Sequence, residues 1–164
     1  MKKINQFLIL LIGFTLPLNS CSKDESDNEE GKVTLIGQWE LSEFKVTENA
    51  SNPLLPDAEI ILSELIATNC KILEYDFRAN GEVFSESTIL YIGTDPENIS
   101  CPSGVSDSFS GTWELNGDTL IFNDGQGTES EGARISLSKD RLIIYGEGLS
   151  AENLSGTEFV LTRK

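Results

Sequence analysis

Cysteines at positions 21, 70 and 101, an excess of carboxylates and no histidine at all define the chemistry open to this chain. Without an imidazole there is no Ser-His-Asp or Cys-His nucleophile system, no HExxH zinc site and no ordinary neutral-pH general base. Glu74 and Asp76 form a carboxylate pair of the kind used in glycoside hydrolysis, which needs two acids across the scissile bond. They stand at i and i+2 of an alternating segment, however, so they project from one strand face as part of a wet wall. Residues 146–151 spell G-x-G-x-x-A, the string of a dinucleotide fingerprint, but Gly156 interrupts the helix that a bound pyrophosphate requires. Residues 123–131 hold oxygen ligands suited to Ca²⁺ without the EF-hand order, which leaves a solvated hairpin loop. Lys45, Lys71 and Lys139 show no Ser-Lys pattern. No catalytic residue, metal site or cofactor is expected, and the chain reads as something other than an enzyme.

The 164 residues allow one domain, and 27 Asp+Glu against 12 Lys+Arg give a net charge of −15. Such a field disfavours nucleic acid and anionic headgroups, both of which need a concentrated positive face. A content of 38% hydrophobic residues still permits a core.

Residues 1–20 read as a cleavable export signal: Lys2 and Lys3, an apolar run over 7–18, then small or polar residues. The run is shorter than the roughly 20 apolar residues of a membrane-spanning helix and contains Gly13, Thr15 and Pro17. Leu18-Asn19-Ser20-Cys21 resembles the bacterial lipoprotein box, which implies diacylglycerol on Cys21 and cleavage just before it. Two or three acyl chains hold a protein on a membrane where one does so only weakly. Loss of the signal takes Lys2 and Lys3 and no acid, so the charge falls from −15 to −17. Residues 21–32 are acidic and lack apolar side chains after the cysteine, the composition of a flexible tether. The acidic stretch over 22–27 also resembles the signal that sends Bacteroidota lipoproteins to the outer face of the outer membrane. The expected partner is therefore a membrane, reached through Cys21, with cell-surface display ahead of the periplasmic leaflet.

Setting Cys21 aside leaves Cys70 and Cys101, and in an oxidising compartment the expectation is a disulfide between them. Neither CxxC spacing nor histidine accompanies the pair, which argues against a redox or thiolate metal site.

Positioning these groups falls to a domain over 33–164 that is punctuated like a set of short strands. Over 72–78, Leu73, Tyr75 and Phe77 alternate with Glu74, Asp76 and Arg78. Asn80-Gly81 then supplies a hairpin turn, so residues 83–92 are expected to return antiparallel. Asn116-Gly117 repeats the device between 112–115 and 118–122. Further strands are expected over 35–46, 133–138, 141–146 and 157–163, eight in all, with a short helix over 57–68, where apolar residues recur at helical spacing behind Pro56. An even number of neighbouring antiparallel strands suits an all-β, eight-stranded up-and-down barrel with no open edge. Alternation sends Trp39, Leu41, Leu73, Tyr75, Phe77, Trp113, Leu115, Leu120, Phe122, Leu142, Ile144, Phe159 and Leu161 inward.

Gly37-Gln38-Trp39 near the first strand, Cys70 ahead of Phe77-Arg78-Ala79-Asn80-Gly81, Cys101, the segment Gly111-Thr112-Trp113-Glu114-Leu115-Asn116-Gly117-Asp118-Thr119-Leu120 and a closing apolar strand over 159–163 follow one another in order. Together the chain resembles the lipocalin-like lipoproteins of Bacteroidota over residues 35–164. The resemblance implies a lipocalin-type barrel and a Cys70–Cys101 bridge, but no particular activity, since fold does not fix function. It also implies that Trp39 packs across the closed barrel end under an arginine. Arg163 is the expected partner, with Arg134 and Arg141 as alternatives.

An eight-stranded barrel is either filled by side chains or able to hold one small ligand. The first functional expectation is a non-catalytic carrier of a small hydrophobic or amphipathic molecule, with Tyr75, Phe77, Trp113 and Phe122 at the mouth. The alternative is a protein or glycan interaction module with a solid core, using loops over 94–107 and 123–132.

Overall fold

A computed structural model of the chain describes residues 33–125, 132–149 and 153–164. Residues 1–32, which include the expected export signal, the expected tether and Cys21, lie outside the described residues, as do residues 126–131 of the 123–131 loop and the last two residues of the G-x-G-x-x-A string. Eight antiparallel strands close into a barrel in simple sequential order, the last strand pairing with the first. They are β1 (Gly37–Val46), β2 (Leu73–Phe77), β3 (Glu82–Ser87), β4 (Asp107–Asn116), β5 (Thr119–Asn123), β6 (Ala133–Leu137), β7 (Arg141–Tyr145) and β8 (Thr157–Arg163). One helix, α1 (Leu55–Ala67), lies between β1 and β2. This is the eight-stranded barrel with a single helix that strand count and turn spacing imply.

An up-and-down barrel sends its connections alternately to its two ends. Tight turns after β2, β4 and β6 gather at one end, where Asn80-Gly81 gives the positive φ (82° at Gly81) that a hairpin of this twist needs. The longer connections, including α1 and the β3–β4 segment, gather at the other. There α1 lays Leu55, Ile61, Leu62 and Leu65 into the same core as Phe44, Leu73 and Phe159, covering that end. Cys70, just beyond α1, is bonded to Cys101 in the β3–β4 connection, with Cα atoms 5.7 Å apart.

Local departures from the sequence reading have physical causes. Strand β1 carries a bulge between Leu41 and Glu43. It passes the inward set from Trp39 and Leu41 to Phe44, keeping Glu43 and Lys45 in solvent, where they pair at 3.3 Å. Strand β3 stops at Ser87 instead of running on to Ile92: the Ile89 amide donates to Ser87 Oγ, and Ile89–Tyr91 coil into a 3₁₀ turn. The helix starts at Leu55, two residues before Asp57, because Asn52 Oδ1 accepts from the Leu54 amide and sets the first turn. Leu115, expected inside, stands 36% exposed beside the Asn116-Gly117 turn, where the barrel has ended.

Candidate functional site

At the tight-turn end the chain builds a fixed polar clamp. Trp39 is wholly buried, and its indole Nε1 donates to Leu35 O at 2.8 Å. The Arg163 guanidinium lies 4.2 Å from the centre of the Trp39 ring. The same side chain donates to three backbone oxygens: Lys139 O at 2.9 Å, Ile36 O at 2.7 Å and Thr34 O at 2.5 Å. Gly37 is required here, since at its φ of 133° a Cβ would come within 2.5 Å of Arg163 Nη1. Arg134 and Arg141 are engaged elsewhere, Arg134 over Tyr145 at 3.8 Å and Arg141 with Glu43 at 3.8 Å. Every polar atom of this clamp is used in holding strand ends together.

Tyr75, Phe77, Trp113 and Phe122, placed at a mouth by the sequence reading, converge on one another. Tyr75 stacks on Phe77 at 5.4 Å and on Phe122 at 5.8 Å, and Trp113 meets Phe77 edge-on at 5.7 Å. Phe109 closes the set against Phe122 at 6.1 Å. Trp113 Nε1 donates to Arg78 O in the β2–β3 turn, which puts this ring at the tight-turn end rather than under α1. Rings at these separations pack on one another, with Phe77 buried and Tyr75, Trp113 and Phe122 partly buried, and Tyr75 and Phe109 also line an open concavity of about 500 Å³. Desolvation pushes the Tyr75 hydroxyl up to about 12, so it stays protonated at neutral pH and cannot serve as a base.

A concavity with mostly apolar walls opens at the other end and uses different residues. A groove of about 370 Å³ runs between α1 and the segment after β3, lined by Leu54, Ala58, Ile61, Leu62, Ile89 and Ile92 together with Gly93 and the exposed polar residues Asp57 and Thr94. One of its lining side chains, Leu54, stands 70% exposed. The disulfide ties its two walls, one on α1 and one on the β3–β4 connection. Sequence pattern alone does not single out these residues, because Ile89-Leu90-Tyr91-Ile92 reads as the end of a strand. The signal was present: four consecutive apolar residues do not alternate, and a half-buried strand must.

The paired carboxylates project from the outer wall. Burial pushes Glu74 upward, but hydrogen bonds and charge from Lys164 and Lys71 outweigh it, and the carboxyl is held below the usual glutamate range. Lys164 bonds Glu74 and lies 3.1 Å from Glu40, while Asp76 takes Arg78 at 3.3 Å. These acids are therefore ion-paired along a wall, where Glu74, Asp76, Glu86 and Lys164 border an open concavity of about 500 Å³. Among the described residues no group of three or more potential ligands is placed to hold a metal ion, and no buried side-chain polar atom lacks a partner.

Residues 35–144 match the model of the lipocalin-like domain. Two solved structures are similar in fold. One is a lipocalin-like protein from Bacteroides uniformis ATCC 8492, at 13% identity and a TM-score of 0.44, covering 79% of this chain and 98% of its own. The other is an uncharacterized protein from Bacteroides eggerthii DSM 20697, at 12% identity and a TM-score of 0.44, covering 80% of this chain and 100% of its own. No curated protein matches the chain.

Proposed function

Since this chain belongs to the lipocalin-like domain family, we propose that it is a non-catalytic outer-membrane lipoprotein, anchored through Cys21, that binds a small hydrophobic or amphipathic molecule. Its site is the groove between α1 and residues 89–94. One observation carries this reading: an apolar-walled opening of about 370 Å³ lies between α1, which packs on the barrel core, and residues 89–94. That volume lies in the range of about 300–1,000 Å³ typical of ligand sites, whose walls are mostly apolar with a few polar groups at the edge. About ten methylenes buried at about 0.8 kcal/mol each give about 8 kcal/mol gross. After the cost of association, the affinity falls between millimolar and micromolar.

Two experiments test the two halves. Ala58→Phe fills the groove from the helix side, so binding of a neutral apolar fluorophore such as N-phenylnaphthylamine should drop at least about tenfold with little change in melting temperature. Unchanged binding would place the site elsewhere. For the anchor, Cys21→Ala should move the protein from the envelope fraction to the soluble fraction without unfolding it. Retention of that variant on membranes would sink the lipoprotein assignment.

A further inference from the structure

The two walls of the groove come from stretches of chain without a single positive charge. No lysine or arginine lies between Lys45 and Lys71, or between Arg78 and Arg134. The same stretches supply Asp57 at the rim of the groove, Glu59 and Glu64 on α1, and Asp95 and Glu97 immediately beyond Thr94. The cations nearest in sequence are already spent: Lys45 pairs with Glu43 at 3.3 Å and Lys71 with Glu74 at 3.3 Å. Glu59 is also committed, its carboxylate accepting from the Val46 amide at 3.0 Å. Asp57 differs, because it is exposed in the first turn of α1 and lines the apolar trough.

We infer that the groove selects amphiphiles with a cationic head, such as a long-chain amine, over anionic ones of equal chain length; this rests on the ligand-binding reading of the same groove. The alkyl chain lies along Ala58, Ile61, Leu62, Ile89 and Ile92, and the ammonium meets Asp57 at the rim. The opposing pull is the positive end of α1, which would favour a carboxylate head. Asp57 stands in that first turn. Its full negative charge exceeds the half charge of a helix end, so an incoming carboxylate meets net repulsion. A cation gains where an anion loses, and two unit charges a few ångströms apart near water separate the two ligands by about tenfold in affinity at low salt. The effect falls in about 0.5 M salt, where the screening length is about 4 Å.

The test is displacement of N-phenylnaphthylamine from the full chain by dodecylamine, dodecanol and dodecanoate at neutral pH, each below its micellar concentration. The expected order is amine, then alcohol, then carboxylate, with about tenfold between the extremes. Asp57→Asn should bring the amine down to the level of the alcohol, with far-ultraviolet circular dichroism showing that the variant is folded. Glu114→Gln, on an exposed part of β4, should leave the amine preference intact and so exclude general attraction to an acidic surface. Dodecanoate binding as tightly as dodecylamine, with dodecanol also bound, would overturn the charge selectivity and leave the groove as a ligand site. Failure of all three, dodecanol included, would overturn the binding reading and the selectivity with it.

Discussion

Replacing Arg163 by lysine keeps a positive charge on β8 and removes the planar fork that joins three carbonyl oxygens to the Trp39 ring. The guanidinium donates to Lys139 O, Ile36 O and Thr34 O, and stacks at 4.2 Å on an indole that is itself fully buried. A lysine ammonium on this stem reaches one of those carbonyls at a time, so two charged hydrogen bonds are lost. In a half-exposed position each is worth about 0.5–1 kcal/mol, since water partly replaces it. Loss of the stacked cation adds about 0.5–1 kcal/mol. The expected destabilisation is about 1.5–3 kcal/mol, which for a domain of this size lowers the melting temperature by about 5–12 °C. Urea unfolding followed by tryptophan fluorescence gives the free energy directly, and calorimetry gives the temperature. A double-mutant cycle with Trp39→Phe isolates the ring contact, which should couple to Arg163 by about 0.5–1 kcal/mol. A loss below about 0.5 kcal/mol in Arg163→Lys would refute the claim that this fork holds the strand ends together. Zero coupling in the cycle would refute the stacking contribution alone.

Removing the bridge with Cys70→Ser and Cys101→Ser together should cost about 3.5 kcal/mol, the chain-entropy value for a closed loop with a sequence separation of 31. The same change should weaken dodecanol binding, because the β3–β4 wall of the groove is no longer tied to α1; full affinity in the double variant would show that the wall is held by packing alone. The Glu74 carboxyl is held below its ordinary value of 4.5 by Lys164 and Lys71, so its contribution is complete above that value and is lost as pH falls through the lowered one. Glu74→Gln should therefore destabilise by at most about 1 kcal/mol at neutral pH, with the gap in melting temperature to the parent closing on acidification well below pH 4.5. A gap that stays constant down that series would show that the ion pair contributes nothing.

How far the sequence is legible depends on whether the deciding interaction is local. Asn80-Gly81 and Asn116-Gly117 mark hairpins because positive φ at glycine is a property of a two-residue step, and Leu73, Tyr75 and Phe77 identify a wall because alternation needs only one strand. The bulge near Ser42 is invisible to that logic. It exists because Leu41 must pair with Leu161 and Phe44 with Phe159 across a neighbour more than a hundred residues away. Ser87 ends β3 through a side-chain hydrogen bond that no propensity announces.

By itself the sequence determines the barrel, since an even set of short alternating segments with turn residues between them has few other ways to bury one face. It determines the absence of imidazole chemistry, and it leaves Cys70 and Cys101 as the pair to be joined. Only the tertiary structure decides among Arg163, Arg134 and Arg141 for the place over Trp39, because that choice is made by which strand ends at Gly37. Only the fold, too, brings Tyr75, Phe77, Trp113 and Phe122 into contact with one another and opens the groove between α1 and Ile92. A groove is the space between two segments distant along the chain, so its walls acquire meaning only once the barrel brings them together.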